Sequence, residues 1–298
     1  MLIDRMELAD ITKPGPMAAA VLKQVREQNN GVLPIPIPIE EIAYGADISG
    51  ISPIQTPGFQ GALIITDGGS IGHILKNANS PITRQRYTVG HELGHWLLPL
   101  HSVKTKELYC TSVQMTRDFS KNLSPAERIE VEANMFAAEI LLPDREFKND
   151  LRPFGEPSLQ ALLALSEKFE VSKLATAKRY TTLNDHPCAV VTSKDCLVQH
   201  IFRGRDFPSL GLKVGYPLPP RSHSFTLKRT LKKCSEIVLA RWENWLKDQP
   251  HATAELYEQV LHQADGYIMT LLYLNMDNCP DEDEEFIERS SIWNPTLR

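Results

Sequence analysis

Thr88-Val89-Gly90-His91-Glu92-Leu93-Gly94-His95-Trp96-Leu97-Leu98 is the stretch on which the reading of this chain turns. Its centre is the pattern His-Glu-x-x-His. On an α-helix, residues four apart stand one turn above each other on one face. His91 and His95 can therefore aim ring nitrogens at one metal ion, at the ~2.0–2.1 Å usual for zinc. Glu92 is about a quarter-turn away, near enough to accept a proton at the site without being a ligand. The flanks agree with a helix. A helix-length run begins at Ile82, and Trp96-Leu97-Leu98 is followed by Pro99, which cannot continue it. The competing explanation is an amphipathic helix carrying two ordinary histidines.

A catalytic zinc takes three protein ligands and keeps a fourth position open. Two residues compete for the third place. His101 stands where the pattern H-E-x-x-H-x-x-G-x-x-H puts a histidine, but that pattern needs glycine at position 98 for its turn. This chain has Leu98-Pro99 there. Glu130 lies on a second predicted helix, which opens at Ser124-Pro125 with Glu127 completing a capping box. Ile129, Ala133, Phe136 and Ile140 form that helix's apolar stripe, and Pro143 closes it. Asn134, one turn beyond Glu130, is spaced to bond the outer nitrogen of a ligating histidine. Glu132 points about 160° away from Glu130 and reads as solvent-facing.

The whole chain sets wider bounds. Its 298 residues suffice for two domains, and 42% hydrophobic with 23% charged residues is ordinary for a soluble globular protein. A net charge of -5 argues against wholesale coating of nucleic acid. Cys110, Cys188, Cys196, Cys234 and Cys279 are odd in number and scattered, which fits reduced thiols in a cytosol. Asp4, Arg5, Glu7 and Asp10 interrupt the N-terminus, so no signal peptide is expected. No apolar run approaches the ~18 residues of a membrane span. The expected location is the cytoplasm.

Along the chain, Met17 to Gln28 and Ile39 to Ala46 read as helices joined by an extended, proline-rich connector. Gly61 to Thr66 and Ile71 to Leu75 read as a hairpin across Asp67-Gly68-Gly69. The edge of such a strand beside a metal helix can pair with an extended peptide. Helices are expected near 157–168 and 172–183, then strands at 189–191 and 197–202. Further helices are expected at 227–247 and 254–264, and a buried strand at 267–274. The fold class is α+β: a zincin-like metallopeptidase domain over 1–150 with a small sheet, a helical segment over 151–187, and an α+β domain over 188–298.

Arg86-Tyr87-Thr88-Val89-Gly90-His91-Glu92-Leu93-Gly94-His95, taken with Glu130-x-Glu132-Ala133-Asn134-x-Phe136-Ala137-Ala138-Glu139-Ile140-Leu141-Leu142-Pro143, resembles the ImmA/IrrE family of metallopeptidases. Pro36 to Ala43 is similar to that family's N-terminal helix entrance. The resemblance implies one Zn2+ per chain on His91, His95 and Glu130, with Glu92 as general base. It implies a helix-turn-helix repressor as substrate, whose cleavage relieves repression of stress, DNA-damage, mobile-element or phage-defence genes. It also implies that residues 188–298 form a GAF-like sensor. A regulator that keeps the peptidase fold and acts by binding DNA or repressor without cleavage is the alternative.

Two features bear on control. Cys110 lies between the two metal-bearing helices, where a thiolate could occupy zinc's open position and inhibit; a small semi-buried cysteine is the plain reading. Tyr109 and His101 are the available oxyanion donors. Residues 203–233 hold eight basic residues against one acid, Asp206, among them Arg203, Arg205, Lys228, Arg229, Lys232 and Lys233. Phe202, Phe207, Tyr216 and Phe225 are interleaved. Cations with aromatic faces can hold single-stranded DNA as an activator, and a solvated basic face with core aromatics is the other explanation.

Overall fold

The computed structural model describes residues 1–66, 70–102, 107–111, 123–227, 233–250 and 254–275, with the backbone alone at 100, 102 and 107–111. The chain divides into two compact units. One is Met1–Pro153 with Leu162–Arg179, and the other is Phe154–Ala161 with the chain from Tyr180 onward. The division falls within the helices near 160 and 180.

In the first unit, α1 (Pro14–Gln28) and α2 (Ile39–Gly45) precede β1 (Ile48–Ile54), β2 (Phe59–Thr66) and β3 (Ile71–Asn77). Then come α3 (Ile82–Leu97), the single turn α4 (Pro99–Ser102), β4 (Glu107–Thr111), α5 (Pro125–Leu141) and α6 (Asp144–Leu151). Four strands form one sheet in the order β1-β3-β2-β4. The β2–β3 hairpin is antiparallel, with Leu63 opposite Ile74, while β1 runs parallel to β3. β2 therefore has a neighbour on both sides, and the strand next to the metal helix is not the open edge expected from the sequence. β4 takes that place, with Cys110 opposite Gly61.

Alternation along the strands decides what faces α3. Gly61 and Leu63 on β2, and Gly72 and Ile74 on β3, turn toward it, and Leu63 and Ile74 are fully buried. α3 lies between this sheet and α5. α5 starts where Ser124 and Glu127 close a reciprocal capping box, a device worth about 1 kcal/mol. It buries Ala133, Phe136, Ala137 and Ile140. The residues of α3 from Thr88 to Leu97 are all buried, so the histidine motif is core rather than surface.

In the second unit, β5 (Cys188–Lys194), β6 (Leu197–Arg203), β7 (Val238–Leu239), β8 (Glu255–His262) and β9 (Tyr267–Asn275) form an antiparallel sheet in the order β6-β5-β9-β8-β7. α7 (Leu159–Lys168) and α8 (Lys173–Leu183) are divided between the units, with only Leu159–Ala161 and Tyr180–Leu183 belonging to this one, and the turns α9 (His223–Thr226) and α10 (Trp242–Trp245) lie between β6 and β8 in the chain. On one sheet face Ala189, Val191, Leu256, Val260 and Leu272 pack under Phe207, Leu218 and Trp245. The other face meets Phe154–Ala161 and Tyr180: Gln259 accepts from the Leu159 amide at 2.6 Å.

Two sequence expectations fail here. The helix expected over 254–264 is instead the strand β8, Glu255–His262, with Glu258 on the core face between Leu256 and Val260. That carboxylate breaks the period-two apolar pattern and leaves apolar residues four apart, which imitates a helix. Its burial is satisfied by the amides of His223 (3.1 Å) and Ser224 (2.7 Å), the Ser224 hydroxyl and Trp245 Nε1 (3.0 Å). Of the expected helix over 227–247, residues 234–240 are likewise extended, and only the single turn α10 is helical among the described residues. The backbone bonds of the extended part go to β8, with Ser235 N donating to Val260 O and Ala240 N to Leu256 O.

Candidate metal centre

Two close approaches position α3. A Cβ at residue 61 would stand 2.4 Å from Thr88 Cγ2 and 2.7 Å from Glu92 Oε1, so only glycine lets β2 pass this near to Glu92. On the opposite side, a Cβ at residue 94 would stand 3.1 Å from Phe136 Cδ1 and 3.3 Å from Ala133 Cα. Gly94 thus lets α5 come close enough for its carboxylate to reach the histidines.

The reach is measurable. His91 Nε2 and His95 Nε2 are 3.1 Å apart. Glu130 Oε2 is 3.5 Å from the first and Oε1 is 3.6 Å from the second. Ligand atoms ~2.1 Å from a tetrahedral ion stand about 3.4 Å from one another, so the three separations suit a single ion. His91, His95 and Glu130 are all buried and form a group able to hold a metal.

Charge agrees with that use. Burial pushes the His91 pKa down to about 3, opposed by its bond to Asn134 and reinforced by the charges of Arg84 and His101. Burial first, and then the charge of His91, hold His95 well below the ordinary histidine value. Both rings are neutral at pH 7 and keep a lone pair for a cation.

Hydrogen bonds decide which nitrogen carries it. His91 Nδ1 lies 3.0 Å from Asn134 Oδ1, which also accepts from the Tyr87 hydroxyl at 2.8 Å. An amide oxygen only accepts, so His91 donates from Nδ1 and its bare Nε2 faces the cluster. His95 Nδ1 is 3.1 Å from His101 Nδ1, and His101 Nε2 is 3.0 Å from Glu132 Oε2. The carboxylate must accept from His101 Nε2, which leaves His101 Nδ1 to accept from His95 Nδ1. His95 Nε2 is thereby bare as well. Outer partners of this kind fix the tautomer and orientation of a ligating imidazole.

The structure corrects two expectations at this point. His101 is neither a third ligand nor an oxyanion donor; α4 turns it back behind His95, where it is 1% exposed. Glu132 is not solvent-facing, because it is the acceptor at the far end of that chain, with its side chain 21% exposed. No local pattern in the sequence marks this pair. Glu92 is fully buried, with Oε1 beside Gly61.

Other sequence-derived positions fare differently. The side chains of Tyr109 and Cys110 lie outside what is described. So do Lys228, Arg229 and Lys232. Arg203 donates to the Phe207 carbonyl, while Arg205 and Lys233 are exposed. Arg203 ends β6, whereas Lys233 precedes Cys234, which bridges to Leu261 on the outer side of β8. The two stand at opposite edges of the five-stranded sheet, four strand spacings or about 19 Å apart. Phe207 is core, at 1% exposure.

Residues 59–181, from β2 to α8, match the family model of the IrrE N-terminal-like domain, Peptidase_M78. This segment belongs to the ImmA/IrrE family. The ImmA/IrrE segment contains every member of the metal group described above. Among curated proteins none matches the chain. Among solved structures, a Mycobacterium tuberculosis transcriptional regulator is similar at 13% identity and a TM-score of 0.46, covering 90% of this chain and 73% of that one. A likeness at that level defines neither fold nor function. No helix among the described residues is long and apolar enough to cross a membrane.

Proposed function

We propose that this protein is a zinc-dependent endopeptidase that cleaves a helix-turn-helix transcriptional repressor. The observation that carries the reading is the convergence of His91 Nε2, His95 Nε2 and the Glu130 carboxylate within 3.1–3.6 Å, each ring held from behind. Two imidazoles and a carboxylate are a donor set of hydrolytic zinc sites. Zinc held there would supply Lewis acidity to the scissile carbonyl and to the attacking water. The remaining work falls to the chain. Asn134 and the His101–Glu132 pair hold the rings in their ligating tautomers. Glu92 takes a proton from the attacking water and delivers it to the leaving amine, so that water adds across the C–N bond.

The family membership of residues 59–181 supports a repressor as substrate, and the separate unit from Tyr180 onward suits a GAF-like sensor. Single-stranded DNA as its signal would require the basic residues of 203–233 to act together. Oligonucleotide binding that weakens as salt rises would support that signal, and no binding at low salt would end it.

The test of the peptidase reading is co-expression with a candidate helix-turn-helix repressor drawn from the same genome. The wild-type chain should cut the repressor, and Glu92→Gln should retain zinc without cutting. Equal relief of repression by both proteins with the repressor intact would overturn the reading in favour of a regulator that acts by binding.

A further inference from the structure

We propose that Arg84 reads charge on the substrate, receiving an acidic side chain about three residues from the scissile bond. The inference rests on the peptidase reading above and adds its sequence preference.

Position comes first. Residues 84, 88, 91 and 95 recur at intervals of four, three and four, so Arg84 lies on the face of α3 that carries both histidines. Seven residues separate it from His91, or about 10.5 Å along the axis. An extended peptide advances about 3.3 Å per residue, so that distance corresponds to about three residues. Helical side chains lean toward the N-terminus, so the guanidinium points away from the metal group and is no oxyanion donor. It remains in the site's surroundings all the same. Its carbon lies 5.4 Å from the Tyr87 ring centroid, and the Tyr87 ring stacks on His91 at 6.4 Å.

Pairing is the second observation. The other half-buried arginines of the first unit each meet a carboxylate: Arg5 with Asp47, Arg26 with Glu146, Arg86 with Glu170, and Arg179 with Glu139 and Asp144. Arg84 meets none among the described residues. Its partners are the Tyr87 ring and Gln60 Oε1, 3.4 Å from Nε. A neutral oxygen and an aromatic face orient a guanidinium without neutralising it, and burial lowers the Arg84 pKa with no carboxylate to oppose it. A half-buried, oriented and uncompensated fork of donors is matched by a carboxylate, which it can bind bidentately.

The experiment uses the zinc-loaded full chain and a proteome-derived peptide library, with residues flanking each cut read by mass spectrometry. The repressor serves in place of the library if it alone is cut. Wild type should enrich Asp and Glu about three residues to one side of the bond. In a matched substrate series, Glu should exceed Gln by about 10–100-fold in kcat/KM, and Lys should be poorest. Arg84→Glu should invert the order toward Lys, with zinc affinity unchanged by chelator titration. Cleavage with no charge preference, or a preference that Arg84→Glu leaves intact, overturns the proposal while the peptidase reading stands. If Arg84→Glu does not fold, the substrate series on wild type still decides it. No cleavage of either substrate by wild type overturns both.

Discussion

Replacing Gly61 by alanine should damage the site through one identifiable contact. The added methyl carbon would stand 2.4 Å from Thr88 Cγ2, where carbon atoms prefer about 3.5–4.0 Å. Thr88 is held in place: it is 1% exposed and its hydroxyl donates to Arg84 O at 3.0 Å. Overpacking of this sort costs about 1–3 kcal/mol. In a domain of this size each kcal/mol lowers Tm by roughly 2–4 °C. The same methyl displaces the Glu92 carboxylate, and misplacing a reacting group by ~1 Å costs on the order of 100-fold in rate. Zinc content should not change, since Glu92 is not in the metal group. Thr88→Ser keeps the hydroxyl and removes the methyl, at a cost of about 0.8 kcal/mol alone. Denaturant unfolding of the two single variants and the double variant forms a cycle. The double variant should be more stable than the sum of the singles predicts by about 1 kcal/mol or more. If the two losses simply add, to within ~0.5 kcal/mol, the proposed contact is not what makes glycine necessary.

Other expectations follow from the outer partners and the second unit. His101→Ala or Glu132→Gln should weaken zinc binding by about 10–100-fold, measured against a coloured chelator; unchanged affinity would remove the pair from the account of the site. Glu258→Ala leaves the His223 and Ser224 amides and Trp245 Nε1 without their buried acceptor. At roughly 1–3 kcal/mol for each orphaned group, the loss should reach about 3 kcal/mol or more. Circular dichroism during denaturant unfolding reads it, and a loss below ~1 kcal/mol would show that the pocket rearranges around the gap.

Legibility in the sequence followed the range of the interactions. His91, Glu92 and His95 are set by helical period alone, and Glu130 and Asn134 repeat that spacing on a helix whose cap, Ser124 with Glu127, is written in four residues. These positions could be read locally. His101 and Glu132 could not, because their meeting depends on α4 folding back after Pro99 while α5 lies alongside. Gly61 looked like any strand glycine until Thr88 and Glu92 stood opposite it. β1 was missed because Ser49, Gly50, Ser52 and Pro53 dilute its apolar content, and its partner β3 supplies the pairing. β8 was misread for the opposite reason. Glu258, polar yet buried between Leu256 and Val260 on its core face, is satisfied by donors 13 to 35 residues away in the chain, which no local window contains.

α5 meets the histidine pair directly at Glu130 and Asn134, and through His101 at Glu132, all within five consecutive residues. The helix is therefore keyed to α3 in front and behind at once. Slipping it by a single position would strip both rings of their supports together, so deletions or insertions inside 130–134 should abolish metal uptake outright.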